Sequence, residues 1–198
     1  MILTKNGNLM KFASGAAVNA IIPSDPILPA YTLRLRFADG VTPTNSKGTL
    51  TQVSASPNVW DWTYNNADWS RAWYNYNTLL EVIDGNTSNV TDMSRMFTNC
   101  SSLTTVPLFN TTNVTNMLLM LGNCTSLTSV PLFDTSKVTD MSRMFRNCYT
   151  VESGALALYQ QASTQTIPPS NHTETFYLCG QYTTTGAAEL AQIPSDWK

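Results

Sequence analysis

The chain has 198 residues and a formal net charge of −2; 42 % are hydrophobic and only 12 % charged. Thr, Asn and Ser make up 64 of the 198, so uncharged hydroxyls and amides supply most of the polarity. With no Lys/Arg cluster there is no electrostatic footprint for nucleic acid or anionic lipid, and no stretch approaches the roughly 20 apolar residues that span a membrane.

The length suits one or two domains and is enough to bury a core. Residues 1–20 place Asn6, Gly7 and Asn8 where a secretory signal carries an apolar run, and they hold no Cys to accept a lipid. Because the chain begins with Met, the expectation is export by a route other than a signal. Residues 1–20 read as a docking arm that orders against a partner. Residues 21–30, with Pro23, Pro26 and Pro29, read as an extended linker.

Residues 31–37 alternate in the manner of a half-buried strand, and 38–40 (Ala-Asp-Gly) end it. Residues 49–53 are a second candidate strand, so 31–65 are expected to form a β-rich N-terminal cap. Trp60, Trp62, Trp69 and Trp73 crowd into 14 residues. They either close the open end of a stack or offer a sugar-stacking platform.

The next segment repeats itself. Residues 90–100 (VTDMSRMFTNC) recur at 138–148 (VTDMSRMFRNC), with a middle copy holding Val114, Met117, Met120, Leu121, Asn123 and Cys124. Leu103, Val106, Pro107, Leu108 and Phe109 recur as Leu127, Val130, Pro131, Leu132 and Phe133. A worn copy starts at Asp68. The period is 24 residues, and one such unit cannot bury its own apolar face, so units are expected to stack. Val90, Met93, Met96 and Phe97 fall at helical spacing, with Thr91 or Asp92 placed to cap.

The signature MFxNCxxLxxVPLFxT resembles the BspA-like class of leucine-rich repeats found in bacterial surface proteins. The resemblance covers about residues 66–151, with an imperfect echo at 175–179 (TFYLC). It implies an α/β solenoid: a short leucine-rich-repeat stack between the β-rich cap and a helical C-terminal cap over 152–198.

Three ladders run through the repeat. Cys100, Cys124 and Cys148, with Cys179 as a displaced echo, read as buried thiols rather than disulfides, and their spacing is not a zinc pattern. Asn75, Asn99, Asn123 and Asn147 read as corner residues whose amides satisfy backbone groups. Asp68/Arg71, Asp92/Arg95 and Asp140/Arg143 recur three apart, and both charges are lost together at Asn116 and Leu119. That joint loss suggests a local ion-pair staple on one helical turn, with a calcium-ligand array as the sharper alternative.

Beyond the repeat, residues 153–162 and 186–192 read as helices that close the C-terminal end, with Trp197 packed there. No nucleophile–base arrangement is readable, since His172 is the sole His, and neither a phosphate loop nor a dinucleotide fingerprint is present. No cofactor and no metal are expected, and a carbohydrate-active enzyme is the weakest alternative. Thr104, Thr105, Thr128 and Ser129 fall in segments whose side chains cannot all point inward, forming a hydroxyl-rich strip suited to many weak contacts.

The function expected is therefore non-enzymatic adhesion. One setting is the surface of a tailed-phage virion, as a head fibre, decoration or tail-associated protein, with 1–20 bound to other virion proteins. The other is the bacterial cell surface, as the BspA-like resemblance implies. Expected partners are a host-surface protein or carbohydrate and further copies of the chain in a homo-oligomer, without nucleic acid or membrane insertion.

Overall fold

A computed structural model describes residues 3–5, 8–10 and 28–198. Strand β1 (Leu3–Lys5) pairs antiparallel with β2 (Asn8–Met10). The rest of the expected docking arm, and the expected linker as far as residue 27, lie outside the described residues.

Four strands then build one antiparallel sheet: β3 (Thr32–Phe37), β4 (Thr49–Ala55), β5 (Asn58–Thr63) and β6 (Leu79–Asn86), in the order β4-β5-β3-β6. β3 alternates as its sequence demands, burying Leu33, Leu35 and Phe37. On its other face Arg34 makes two bonds to the Asp61 carboxylate (2.8 and 2.9 Å) and Arg36 pairs with Glu81 at 2.9 Å. β6 lies within the segment assigned to the repeats, so sheet and repeats share one core. Position 65 is therefore no structural boundary.

Leu33, Leu35 and Phe37 pack on the tryptophans. Trp62, Trp69 and Trp73 are fully buried, with the Trp62 ring edge-on to Trp69 at 5.0 Å and to Trp73 at 5.7 Å. Half-buried Trp60 bonds Asn58 through its ring N–H. With three of the four rings sealed in the core, the cluster closes the first repeat and offers no sugar platform.

The chain is not the α/β solenoid expected. Among the described residues its regular secondary structure is the β1–β2 pair, the four-stranded antiparallel sheet, and two short α-helices and a 3-10 turn (Ser195–Trp197) that lie beyond the 24-residue units. The units hold no helix, and beyond β6 of the first unit their strands shrink to isolated parallel bridges such as Asp92↔Asn116 and Asn116↔Asp140. Each unit is a layer of consecutive tight turns.

Backbone conformation explains the difference. Arg95 and Asn99 both hold left-handed φ (55° and 64°), as do Arg71/Asn75, Leu119/Asn123, Arg143/Asn147 and Glu174/Leu178. A left-handed residue at every fourth position interrupts any right-handed helical run. The amides of Met93, Arg95, Phe97 and Asn99 instead donate to the carbonyls of Asn116, Leu118, Met120 and Gly122 in the next layer, at 2.8–3.0 Å. Those of Met96, Thr98 and Cys100 donate back three residues within the layer. Consecutive turns present apolar side chains at the same three- and four-residue spacings as a helix. The spacing that predicts a helix is thus satisfied by a different backbone.

The same bonds continue to a fifth, irregular layer. Met141, Arg143, Phe145 and Asn147 donate to Asn171, Thr173, Thr175 and Tyr177. The echo at 175–179 is thus in structural register, its spacing lengthened by helix α1 (Ala155–Thr164). Inside the layers, Phe109 stacks on Phe133 at 5.9 Å with ring planes 4° apart, and Phe145 on Phe176 at 5.9 Å and 2°.

Both ends are closed by substitutes for a missing layer. In inner layers the carbonyls of Ser94 and Met96 accept the amides of Arg71 and Trp73. In the first layer, the matching carbonyls of Ser70 and Ala72 accept the Lys47 ammonium (2.6 Å) and the Asn45 side-chain amide (2.7 Å). At the other end the Phe176 amide donates to the Trp197 carbonyl at 2.9 Å.

The sequence-predicted C-terminal helices are α1 and α2 (Thr184–Gln192). α1 buries Ala155, Leu158 and Ala162 and follows Gly154 at φ 97°, where a Cβ would stand 2.2 Å from the Val130 carbonyl oxygen. The α1 amide of Leu156, and that of Gly154, donate to Glu189 of α2. The Thr183 hydroxyl caps α2 by accepting the Gly186 amide at 3.0 Å.

Candidate functional site

The segments carrying Thr104, Thr105, Thr128 and Ser129 lie side by side, following the turns in each layer. The Thr128 amide and hydroxyl both donate to the Thr104 carbonyl, at 3.1 and 3.2 Å, and Thr104 treats Leu80 of β6 in the same way. Parallel bridges join Glu81 to Thr105 and Ser129 to Ser153. Two of the four hydroxyls are therefore committed to holding layers together. Thr105, half-buried, and Ser129, exposed, remain to meet a partner.

Further along the same segments stand two residues that the sequence reading passed over. Leu108 and Leu132 are 51 % and 49 % exposed, on equivalent positions of adjacent layers, while their neighbours Phe109 and Phe133 are buried. Simple alternation in the Leu-Phe pair carried the signal: with Phe inward, Leu points out. Beside Leu108 a cleft of about 530 Å³ opens toward the end of β6, lined among others by Asp84, Asn86, Pro107 and Asn110. Leu108 and the cleft are thus contiguous, and the hydroxyls lie earlier in the same segments.

The cysteines are placed otherwise. Cys100, Cys124, Cys148 and Cys179 are buried free thiols. The first three donate to the carbonyls of Trp73, Phe97 and Leu121 in the preceding layer, at 3.0–3.2 Å. Burial pushes the Cys100 and Cys148 thiols up to about 12, and those of Cys124 and Cys179 well above their ordinary value. Burial thus disfavours the thiolate, the form that attacks or ligates. Among the described residues no group of three His, Cys, Asp or Glu side chains is placed to hold a metal ion.

The asparagines form a continuous side-chain ladder. Asn99 donates to Asn75, Asn123 to Asn99 and Asn147 to Asn123, at 2.6–2.7 Å. Their left-handed φ (60–64°) is a conformation that Asn tolerates better than most side chains. Threonine columns add further ties: the hydroxyls of Thr115 and Thr139 donate to the carbonyls of Thr91 and Thr115, and Thr87 and Thr111 to Asn110 and Asp134. Much of the hydroxyl and amide content is structural cement between layers.

The expected Asp/Arg staple is not formed. Asp92 and Asp140 accept the amides of Ser94 and Ser142 two residues on, and Asp68 does the same for Ser70. The bonds from Ser70 hold the Asp68 carboxyl below its usual range. Among the described residues no ion pair joins Asp92 to Arg95 or Asp140 to Arg143. The three-residue spacing brings charges together on a helix, and here the left-handed φ of each arginine turns it away. Arg143 instead pairs with Glu174 in the fifth layer at 2.8 Å. Asn116, where the charge is lost, keeps the turn by accepting the Leu118 amide and ties its layer to Asp92 through its side-chain amide (3.2 Å).

A family model described as "Mycoplasma protein of unknown function, DUF285" matches residues 61–172, more than half of the chain. The chain belongs to the DUF285 family. The match runs from the end of β5 to the start of the fifth layer, so the shared part comprises the first four layers, the last residues of β5, the strand β6 and α1. No curated protein and no solved structure matches the chain.

Proposed function

We propose that this DUF285 protein is a non-enzymatic adhesion body carried on the surface of a tailed-phage particle, as a head fibre, decoration or tail-associated protein. One observation carries the adhesion reading: Leu108 and Leu132 stand about half exposed at equivalent positions of adjacent layers, in segments that the bonds of Thr104 to Leu80 and Thr128 to Thr104 hold in register. A face of equivalent, uncharged positions suits many weak contacts whose sum grows with the number of copies presented. On this reading residues 1–20 attach the chain to other particle proteins, copies associate symmetrically, and the layers meet a host-surface protein or carbohydrate. The low charge and the wealth of Thr, Asn and Ser support the particle setting by general style.

A second reading places the chain on a bacterial cell surface. The family description, which names Mycoplasma, favours it, and so does the kinship we read in the MFxNC…VPLF signature with BspA-like surface proteins.

Fractionation with mass spectrometry separates the two. Recovery of the chain in purified virions is the expected result; recovery in the cell envelope alone shifts the protein to the second reading, and recovery in neither overturns both. The face itself is tested by the double variant Leu108→Ser/Leu132→Ser. It should lose at least tenfold in binding to whole host cells at unchanged Tm, and equal binding removes this face as the adhesive one.

A further inference from the structure

We propose a second binding site, for a pyranose oligosaccharide, on the turn face where the asparagine ladder ends. The site rests on the adhesion reading above and gives it a ligand class.

Tyr182 stacks on Tyr149 of the preceding layer with ring centroids 4.8 Å apart and planes 20° apart. The Tyr182 amide donates to the Tyr149 carbonyl at 3.1 Å, which fixes the pair. Yet Tyr182 is 72 % exposed, so a ring covered on one face by Tyr149 turns its other face to water. Three residues before Tyr149 a second interlayer contact involves an aromatic ring: the Arg146 guanidinium lies 5.0 Å from the centre of the Tyr177 ring, itself 36 % exposed. Arg146 also bonds Glu174, so its position is set.

Asn147 sits between these two contacts along the chain. Its side-chain amide donates to Asn123, but the fifth layer carries Leu178 in the asparagine column, so no amide arrives from the next layer. Among the described residues the Asn147 side-chain oxygen has no hydrogen-bond donor. The ladder therefore ends on an open acceptor that lies in the chain between Arg146, set over Tyr177, and Tyr149, stacked on Tyr182.

That set matches the two chemistries of a pyranose. Its C–H face packs flat on an electron-rich ring face such as that of Tyr182. Its hydroxyl rim donates to the Asn147 oxygen and accepts from the remaining N–H groups of Arg146. Elsewhere the ladder closes on itself: in the Asn99 and Asn123 layers the side-chain oxygen is taken by the next asparagine, and the ring positions of Tyr149 are held by Ser101 and Thr125. The site thus belongs to the C-terminal end alone.

The test is a microarray of immobilised neutral and acidic oligosaccharides, probed with the full chain and with Tyr182→Ala, Tyr182→Phe and Val53→Ala. The full chain should bind at least one pyranose class saturably. Y182A should weaken that binding at least tenfold at unchanged Tm, while Y182F, which keeps the ring, and Val53→Ala, an exposed position on the sheet strand β4, should bind as the wild type. Equal binding by Y182A overturns the site while leaving the adhesion reading standing. Failure of the full chain to bind any oligosaccharide overturns it as well; retained binding to host cells then assigns the partner to protein, and loss of cell binding too removes the adhesion reading itself.

Discussion

Asn123 donates its side-chain amide to Asn99 at 2.7 Å while both residues hold left-handed backbone, at φ 60° and 64°. One side chain therefore serves two ends: it suits the strained turn of its own layer and fixes the distance to the layer before.

Separating those roles gives the first prediction. Asn123→Ala loses the bonds to Asn99 and Asn147 and places a Cβ residue with no local polar compensation in the left-handed region; it should cost about 2 kcal/mol. Asn123→Gly loses the same bonds but carries no left-handed penalty, so urea denaturation should place it between Ala and the wild type. A glycine variant less stable than the alanine one would show that φ is not what selects Asn.

The thiol column predicts inert chemistry. Burial pushes all four thiols up, so the reactive thiolate is scarce at pH 8 in the folded chain. Titration with a thiol reagent at pH 8 should label none of the four cysteines in the folded chain and all four in denaturant. Rapid stoichiometric labelling of the folded chain would mean that the layers open readily around the column.

End capping gives a third. Asn45→Ala leaves the Ala72 carbonyl of the first layer without its 2.7 Å donor and should cost about 1 kcal/mol in urea denaturation. Removing the Lys47 ammonium by Lys47→Met should act additively if each side chain caps its own carbonyl. Loss of the whole cooperative transition in either single variant would contradict this division.

Acid sensitivity supplies the fourth. The bond from Arg143, with the charge of Arg146 beside it, holds the Glu174 carboxyl below its ordinary value. A carboxyl depressed in the folded state contributes stability that is present above its unfolded value and is lost as pH falls through the folded one. Glu174→Gln should therefore destabilise by about 0.5 kcal/mol at pH 7, small because the pair is solvent-screened, and the gap to the wild type should close below pH 4. A gap that persists at pH 2.5 would assign the effect to packing instead of charge.

The sequence carried some of these features openly and hid others. The 24-residue unit, the sealing tryptophans and the terminal helices follow from residue type and spacing alone. The backbone of the unit does not. Met93, Met96, Phe97 and Cys100 are spaced as a helix requires, and only the left-handed Arg95 and Asn99 reveal turns. Asn at such a position is a usable signal; Arg is not, since nothing in its side chain announces a positive φ. The Asp92/Arg95 reading failed for that reason, being sound for a helix that is absent. At the proposed recognition face the hydroxyl strip was legible, but the bonds of Thr104 and Thr128 to neighbouring carbonyls depend on contacts 24 residues apart. Tyr182 carries no local pattern at all, because its partner Tyr149 lies across the inserted helix α1.

Everything rests on layers joined by bonds from one unit to the next. Scalar couplings across hydrogen bonds, measured by NMR on the deuterated chain, read those bonds one at a time. Couplings should connect the Phe97 nitrogen to the Met120 carbonyl carbon, and the Leu121 nitrogen to that of Met144. Couplings from Phe97 to Met93 and from Leu121 to Met117 would instead show helices within each unit and contradict the account.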